Sequence, residues 1–140
     1  MKDLVSIITP TYNSAKYIRE TIASVQNQSH ANWEMILIDD CSTDNTVEII
    51  EEIQKTEPRI HLIKSDVNEG PAVSRNKGIR IAKGKYMTFL DADDIWFEDF
   101  IENSIATIKT TNIHFVFSSY KRSNENLEFV YSDFIVPENV

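Results

Sequence analysis

YMTFLDADD, residues 86–94, decides how the rest of the chain is read. Tyr86 to Leu90 is a short run of strand-forming residues that passes directly into the carboxylates of Asp91, Asp93 and Asp94. The same grammar occurs twice upstream. Trp33 to Ile38 (WEMILI) meets Asp39 and Asp40, and Val5 to Thr9 (VSIIT) is stopped by Pro10 and followed by Thr11, Tyr12 and Asn13. Helical spacings fill the intervals. Ser14 is expected to cap a helix to about Gln28 with Ile18, Ile22 and Val25 inward. After CSTDNT, a second helix carries Val47, Ile50 and Ile53, and Arg59 to Lys64 (RIHLIK) alternates as a third strand. Gly70 and Pro71 open another helix that Gly84 is expected to close, and Glu98 to Lys109 forms the last. Beyond Ile113, HFVFSSYKR and LEFVYSDF on either side of SNEN predict a C-terminal strand pair. Strands alternating with helices imply an α/β fold, with a Rossmann-like, mainly parallel sheet covered by helices on both faces. Ligands of such sheets sit beyond the carboxyl ends of the strands, where Pro10–Asn13, Asp39–Cys41 and Asp91–Asp94 all fall.

A length of 140 residues suits one domain, 1–140. No apolar run approaches the roughly 20 residues that cross a bilayer, and MKDLVSIITP lacks the apolar stretch and cleavage site of a signal peptide. Cys41 is the only cysteine and has no internal disulfide partner, so a cytoplasmic location is expected. The net charge of −8 argues against binding nucleic acid, which depends on basic residues that neutralise phosphates. It would equally repel a phosphorylated small molecule, unless a divalent cation bridges the two.

Asp91-Ala92-Asp93 is an acid-x-acid triplet immediately after a strand. Mg²⁺ or Mn²⁺ takes hard oxygen ligands and is commonly held by one or two carboxylates together with substrate phosphates. The competing reading is an acidic helix start, with Asp94 as its cap. Tyr12 can stack on a nucleobase or simply pack on the first helix. Asp39 and Asp40 can accept hydrogen bonds from a base N–H or from ribose hydroxyls, or can serve the turn that follows with Ser42, Thr43 and Asp44. Arg75 can reach a phosphate or a sugar, whereas Lys77 and Arg80 fit a solvated helix face. His30, His61 and His114 are too dispersed for a zinc site. With only three glycines and no GxGxxG or GxxxxGK[ST] loop, a metal is the remaining way to hold phosphates.

VSIITPTYN, ILIDDCSTDNT, NEGPAVSRNKGI and GKYMTFLDADD, in this order, resemble the family 2 glycosyltransferases of GT-A fold over residues 3 to about 110. The resemblance implies an inverting, metal-dependent transfer of a sugar from a nucleotide diphosphate donor, usually UDP-linked, to an acceptor hydroxyl. It assigns Pro10, Thr11 and Tyr12 to the base side of the donor, and Asp40 to the uracil. Asp91 and Ala92 would face the ribose and diphosphate, and Arg75 the donor. Asp93, with Asp91 beside it, would hold Mn²⁺ or Mg²⁺. In relatives of this kind the general base lies well downstream, and Glu125, Glu128, Asp133 and Glu138 form no recognisable base motif. The chain is therefore expected to stop before its acceptor region, with the base beyond Val140, and to bind donor while transferring sugar poorly. The acceptor is expected to be a glycan, a lipid-linked glycan or a protein, with membrane association only through the acceptor or regions outside the chain. Two rivals stand beside this reading. A non-catalytic nucleotide-sugar-binding module would lack the base altogether. A sugar nucleotidyltransferase is disfavoured because TPTYNSAKY has no glycine.

Overall fold

Four strands pair in the order β3-β2-β1-β4, all parallel. The computed structural model describes residues 3–116, 118, 120–124 and 126–128. Its elements are β1 (Val5–Thr11), α1 (Ile18–Gln26), β2 (Trp33–Asp39), α2 (Thr46–Gln54), β3 (Ile60–Lys64), α3 (Pro71–Ile81), β4 (Tyr86–Phe89) and α4 (Phe100–Thr111). The chain divides into two compact units, residues 1–102 and 103–140.

The first unit holds the whole sheet. β2 is buried at all seven positions and β1 at six of seven, as inner strands covered on both faces must be. β4 and β3 at the edges bury their side chains only in part. Ile8, Ile36 and Ile38 form one side of the core, with Ile63 and Ala82 packed against them. α3 lies close on this side, because a Cβ at Gly78 would stand 2.6 Å from Ile8 Cγ2 and 2.9 Å from Ile38 Cδ1. In the second unit α4 continues to Thr111, and Asn124 Oδ1 accepts the N–H groups of Asn126 and Glu128, both at 3.0 Å. Of the expected C-terminal strand pair, 117, 119 and 129–134 lie outside the described residues, and the described part shows no strand, only isolated bridge positions at Tyr120 and Ser123.

Three expectations about element ends are corrected. Pro10 does not stop β1, which runs on to Thr11. The N–H of Val5 points at β2, where it meets Asn32 O, so strand alternation turns position 10 towards β4. There the pairing already ends at Ile8 with Phe89, and proline forfeits no ladder bond. Ser14 does not cap α1. A turn intervenes, with Ser14 O accepting the N–H groups of Tyr17 and Ile18, and the helix starts at Ile18. Gly84 does not close α3, which ends at Ile81. Its N–H donates to Ser6 Oγ at 2.8 Å, and a Cβ there would fall 2.6 Å from the Ser6 backbone nitrogen. Gly84 is small because β1 passes against it.

Candidate functional site

β2, β1 and β4 are neighbours, so the three polar clusters share one rim of the sheet. The chain lays β2 and β3 on one side of β1 and then crosses to place β4 on the other. The crevice at such a reversal is where open α/β sheets take their ligands.

On the β1–β2 side, Tyr12 stands just past its strand with 51% of its surface exposed. Asn13 adopts a left-handed φ of 47°, and its side-chain oxygen accepts the N–H groups of Thr43 (2.8 Å) and Asp44 (3.3 Å). Asp44 Oδ1 accepts both the N–H (3.0 Å) and the hydroxyl (2.5 Å) of Thr46 at the start of α2, while Oδ2 accepts Ala15 N–H at 3.1 Å. Desolvation raises the Asp44 carboxyl, but the hydrogen bonds from Thr46 and Ala15 outweigh it and hold the group below its ordinary value. Ser42 and Asp44 thus serve the turn and the helix start. Asp39 is buried within the same net, accepting Ser42 N–H at 2.9 Å and Ser42 Oγ at 2.5 Å. Pro10 is half-buried, whereas Thr11 is buried with its hydroxyl donating to Asp39 Oδ1 at 3.3 Å. Thr11 therefore supports the rim and does not present its side chain there.

Asp40 is only 3% exposed. Its two carboxylate oxygens accept the N–H groups of Glu69 (2.9 Å) and Gly70 (2.7 Å), the residues that lead into α3. One buried carboxylate thus ties the end of β2 to the helix that carries Arg75. Arg75 in turn donates from Nη2 to Asp91 Oδ1 at 2.6 Å.

The DADD segment is a turn, closed by Asp94 N–H on Asp91 O at 3.1 Å. α4 begins six residues later at Phe100, so Asp94 is not a helix cap and the cluster is not an acidic helix start. The backbone of the turn is fastened from beneath. Fully buried Thr21 donates its hydroxyl to Ala92 O at 2.9 Å, and Ser24 Oγ accepts Trp96 N–H at 3.2 Å. Gln28 donates to Phe97 O at 2.6 Å and accepts Ile101 N–H at 3.0 Å. Trp96 stacks on Phe100 with 4.3 Å between ring centroids. None of Thr21, Ser24 and Gln28 stood out in the sequence. Their spacing of three and then four places them on one helical stripe beside Ile18, Ile22 and Val25, and polar residues on an inward stripe were the available signal.

Above this scaffold the carboxylates differ. Asp91 is held by Arg75, and Asp93 is exposed with no hydrogen bond or ion pair among the described residues. Asp94 has its carboxyl raised, first by desolvation and then by the charges of Asp93 and Asp91. Among the described residues no three His, Cys, Asp or Glu side chains gather as a protein cage for a metal. One free carboxylate and one ion-paired carboxylate on an exposed turn fit a hard divalent cation whose remaining ligands come from substrate oxygens.

A parallel sheet with its polar loops collected at a reversal defines an α/β ligand-binding domain. The sequence matches the model of glycosyl transferase family 2 over residues 6–138, and the chain belongs to that family. It is 45% identical over 119 residues to a putative teichuronic acid biosynthesis glycosyltransferase of Bacillus subtilis, covering 85% of this chain and 47% of the relative. It is 36% identical over 137 residues to an Escherichia coli UDP-Glc:α-D-GlcNAc-diphosphoundecaprenol β-1,3-glucosyltransferase, covering 98% of this chain and 53% of the relative. The chain thus spans about half the length of these relatives. The fold is that of GT-A glycosyltransferases. Staphylococcus aureus TarS in complex with UDP superposes with a TM-score of 0.72 at 32% identity, over 77% of this chain and 32% of that one. The Pyrobaculum calidifontis mannosyltransferase PcManGT with GDP-Man and Mn²⁺ gives 0.70 at 28% identity, over 74% and 32%. Among the described residues no helix is long and apolar enough to cross a membrane.

Proposed function

We propose that this chain is the donor-binding part of an inverting glycosyltransferase that takes its sugar from a UDP-linked donor. The observation that carries the reading is the rim itself. Tyr12, the Asp40 clamp and the Arg75–Asp91 pair with exposed Asp93 converge where the sheet order reverses. Tyr12 offers a half-exposed ring for the base, with Pro10 beside it and Thr11 behind. Asp40 has acceptor capacity beyond its two backbone donors for a uracil N–H. Arg75 supplies a forked cation for the diphosphate. The Ala92 backbone, pinned by Thr21, sets the height of the turn against the donor. Asp93, assisted by Asp91, would hold Mn²⁺ or Mg²⁺. Such an ion neutralises the diphosphate and serves as a Lewis acid for its departure. The acceptor oxygen then attacks the anomeric carbon as the nucleoside diphosphate leaves, and a single displacement inverts the centre. We assign the general base to the half of the relatives' length that this chain does not span. The E. coli relative, named for a GlcNAc-diphosphoundecaprenol substrate, and the B. subtilis relative, named for teichuronic acid biosynthesis, support a lipid-linked or polymeric glycan as the acceptor.

A thermal-shift panel of nucleoside diphosphates with and without Mn²⁺ tests the reading. UDP is expected to raise Tm only with the metal, by the amount that preferential binding to the folded state dictates, and Asp93→Ala to abolish the shift. The absence of any shift with every nucleotide, metal present, would overturn it.

A further inference from the structure

We propose that Arg75 is a gate on the metal site, holding Asp91 in the donor-free protein so that the divalent cation binds together with the diphosphate and not ahead of it. This rests on the donor-site reading above and assigns an order to it. Asp91 and Asp93, the two carboxylates assigned to the cation, flank Ala92 on an exposed turn, but Arg75 Nη2 lies 2.6 Å from Asp91 Oδ1. The pair places a fixed positive charge beside Asp91, while among the described residues the carboxylates of Asp93 and Asp94 have no hydrogen bond or ion pair.

Arg75 is held in that position by its helix. Asp40 clamps the two residues before α3, and Gly78 seats the helix directly on Ile8 and Ile38. The pair itself is open to water, with the Arg75 and Asp91 side chains 33% and 52% exposed. An exposed ion pair contributes little to stability and exchanges partners easily. A diphosphate offers the guanidinium more negative charge and forked geometry. When it arrives, Arg75 moves from Asp91 to the phosphates, Asp91 is released, and the repulsion of the cation ends in the same event. Metal and nucleotide then bind with positive coupling, and linkage requires that coupling to be equal in both directions.

The test measures free Mn²⁺ by its electron paramagnetic resonance signal, titrating wild type, Arg75→Gln and Arg75→Lys with Mn²⁺ alone and again with saturating UDP. Wild type is expected to bind Mn²⁺ weakly alone and more tightly with UDP. Arg75→Gln is expected to bind Mn²⁺ alone about tenfold more tightly, since a unit charge is removed at contact range, and to show an enhancement by UDP smaller by about the same factor, the remainder coming from the phosphate oxygens themselves. Arg75→Lys keeps the charge and is expected to stay within about twofold of wild type for Mn²⁺ alone. Normal UDP-enhanced Mn²⁺ binding in wild type, with no gain in metal-only affinity for Arg75→Gln, overturns the gate and leaves the donor-site reading intact. No effect of UDP in any of the three proteins overturns both.

Discussion

Replacing Thr21 by Val removes one oxygen from beneath the DADD turn and leaves its shape almost unchanged. Thr21 is fully buried, and its hydroxyl donates to Ala92 O at 2.9 Å. The substitution exchanges that hydroxyl for a methyl of similar size, so it opens no cavity. The change leaves the Ala92 carbonyl in a buried residue without this donor. An unsatisfied buried acceptor costs about 1–3 kcal/mol. For a chain of this length each kcal/mol lowers Tm by roughly 4 °C, so a loss of about 4–12 °C is expected. Thr21→Ser keeps the donor and loses only a methyl, and should fall by less. Scanning both variants with and without UDP and Mn²⁺ separates support of the turn from ordinary core damage. If the bond sets the height of the turn, Thr21→Val loses a larger share of the ligand-induced shift than Thr21→Ser does. A Thr21→Val protein that melts within about 1 °C of wild type, with an equal ligand-induced shift, would refute the reasoning.

Desolvation, followed by the charges of Asp93 and Asp91, raises the Asp94 carboxyl above its ordinary 3.8. The folded state therefore holds its proton more tightly, and stability is lost as pH rises from that value through the folded pKa. Asp94→Asn is expected to melt higher than wild type at pH 7, with the difference vanishing below pH 3.8 in a series of thermal scans. Gly84→Ala, whose Cβ would meet Ser6 N and Tyr86 O at 2.6 Å, sets backbone against backbone and should cost about 1–3 kcal/mol in urea denaturation. Gly78→Ala, which meets Ile8 and Ile38 side chains instead, should cost less because those side chains can turn aside.

The alternation of elements was legible because it depends on local periodicity and on local start and stop residues such as Gly70 and Pro71, and the eight elements of the described residues lie where those signals place them to within a few residues at their ends. What misled at the ends was decided at a distance. Proline reads as a strand terminator, but Pro10 sits on the side of β1 that has no partner beyond Ile8, and that follows from sheet order. Glycine after a helical run reads as a C-terminal stop, yet Gly84 answers to the backbone of Ser6, 78 positions earlier. Asp94 reads as a cap because Asp caps helices. The true start of α4 is instead set by the stack of Trp96 on Phe100 and by Gln28, whose oxygen takes the Ile101 N–H.

The candidate site shows the same division more sharply. That three carboxylates follow a buried strand is plain in DADD, and so is the chemistry they suit. Composition and spacing alone do not tell Asp91 from Asp93, since both flank Ala92 and both follow the same strand, and only the family resemblance gave them different roles. They become different because α3 arrives over β1 with Arg75 facing the first and not the second. The placement of α3 depends in turn on the small residue Gly78 and on the carboxylate of Asp40, 35 positions before Arg75 along the chain. A buried acid that reads as a ligand for a base therefore has a second task, which is to hold the helix whose arginine distinguishes one aspartate from the other. Substituting Asp40 should accordingly disturb the metal end of the site as well as the base end, although Asp40 does not touch the DADD turn.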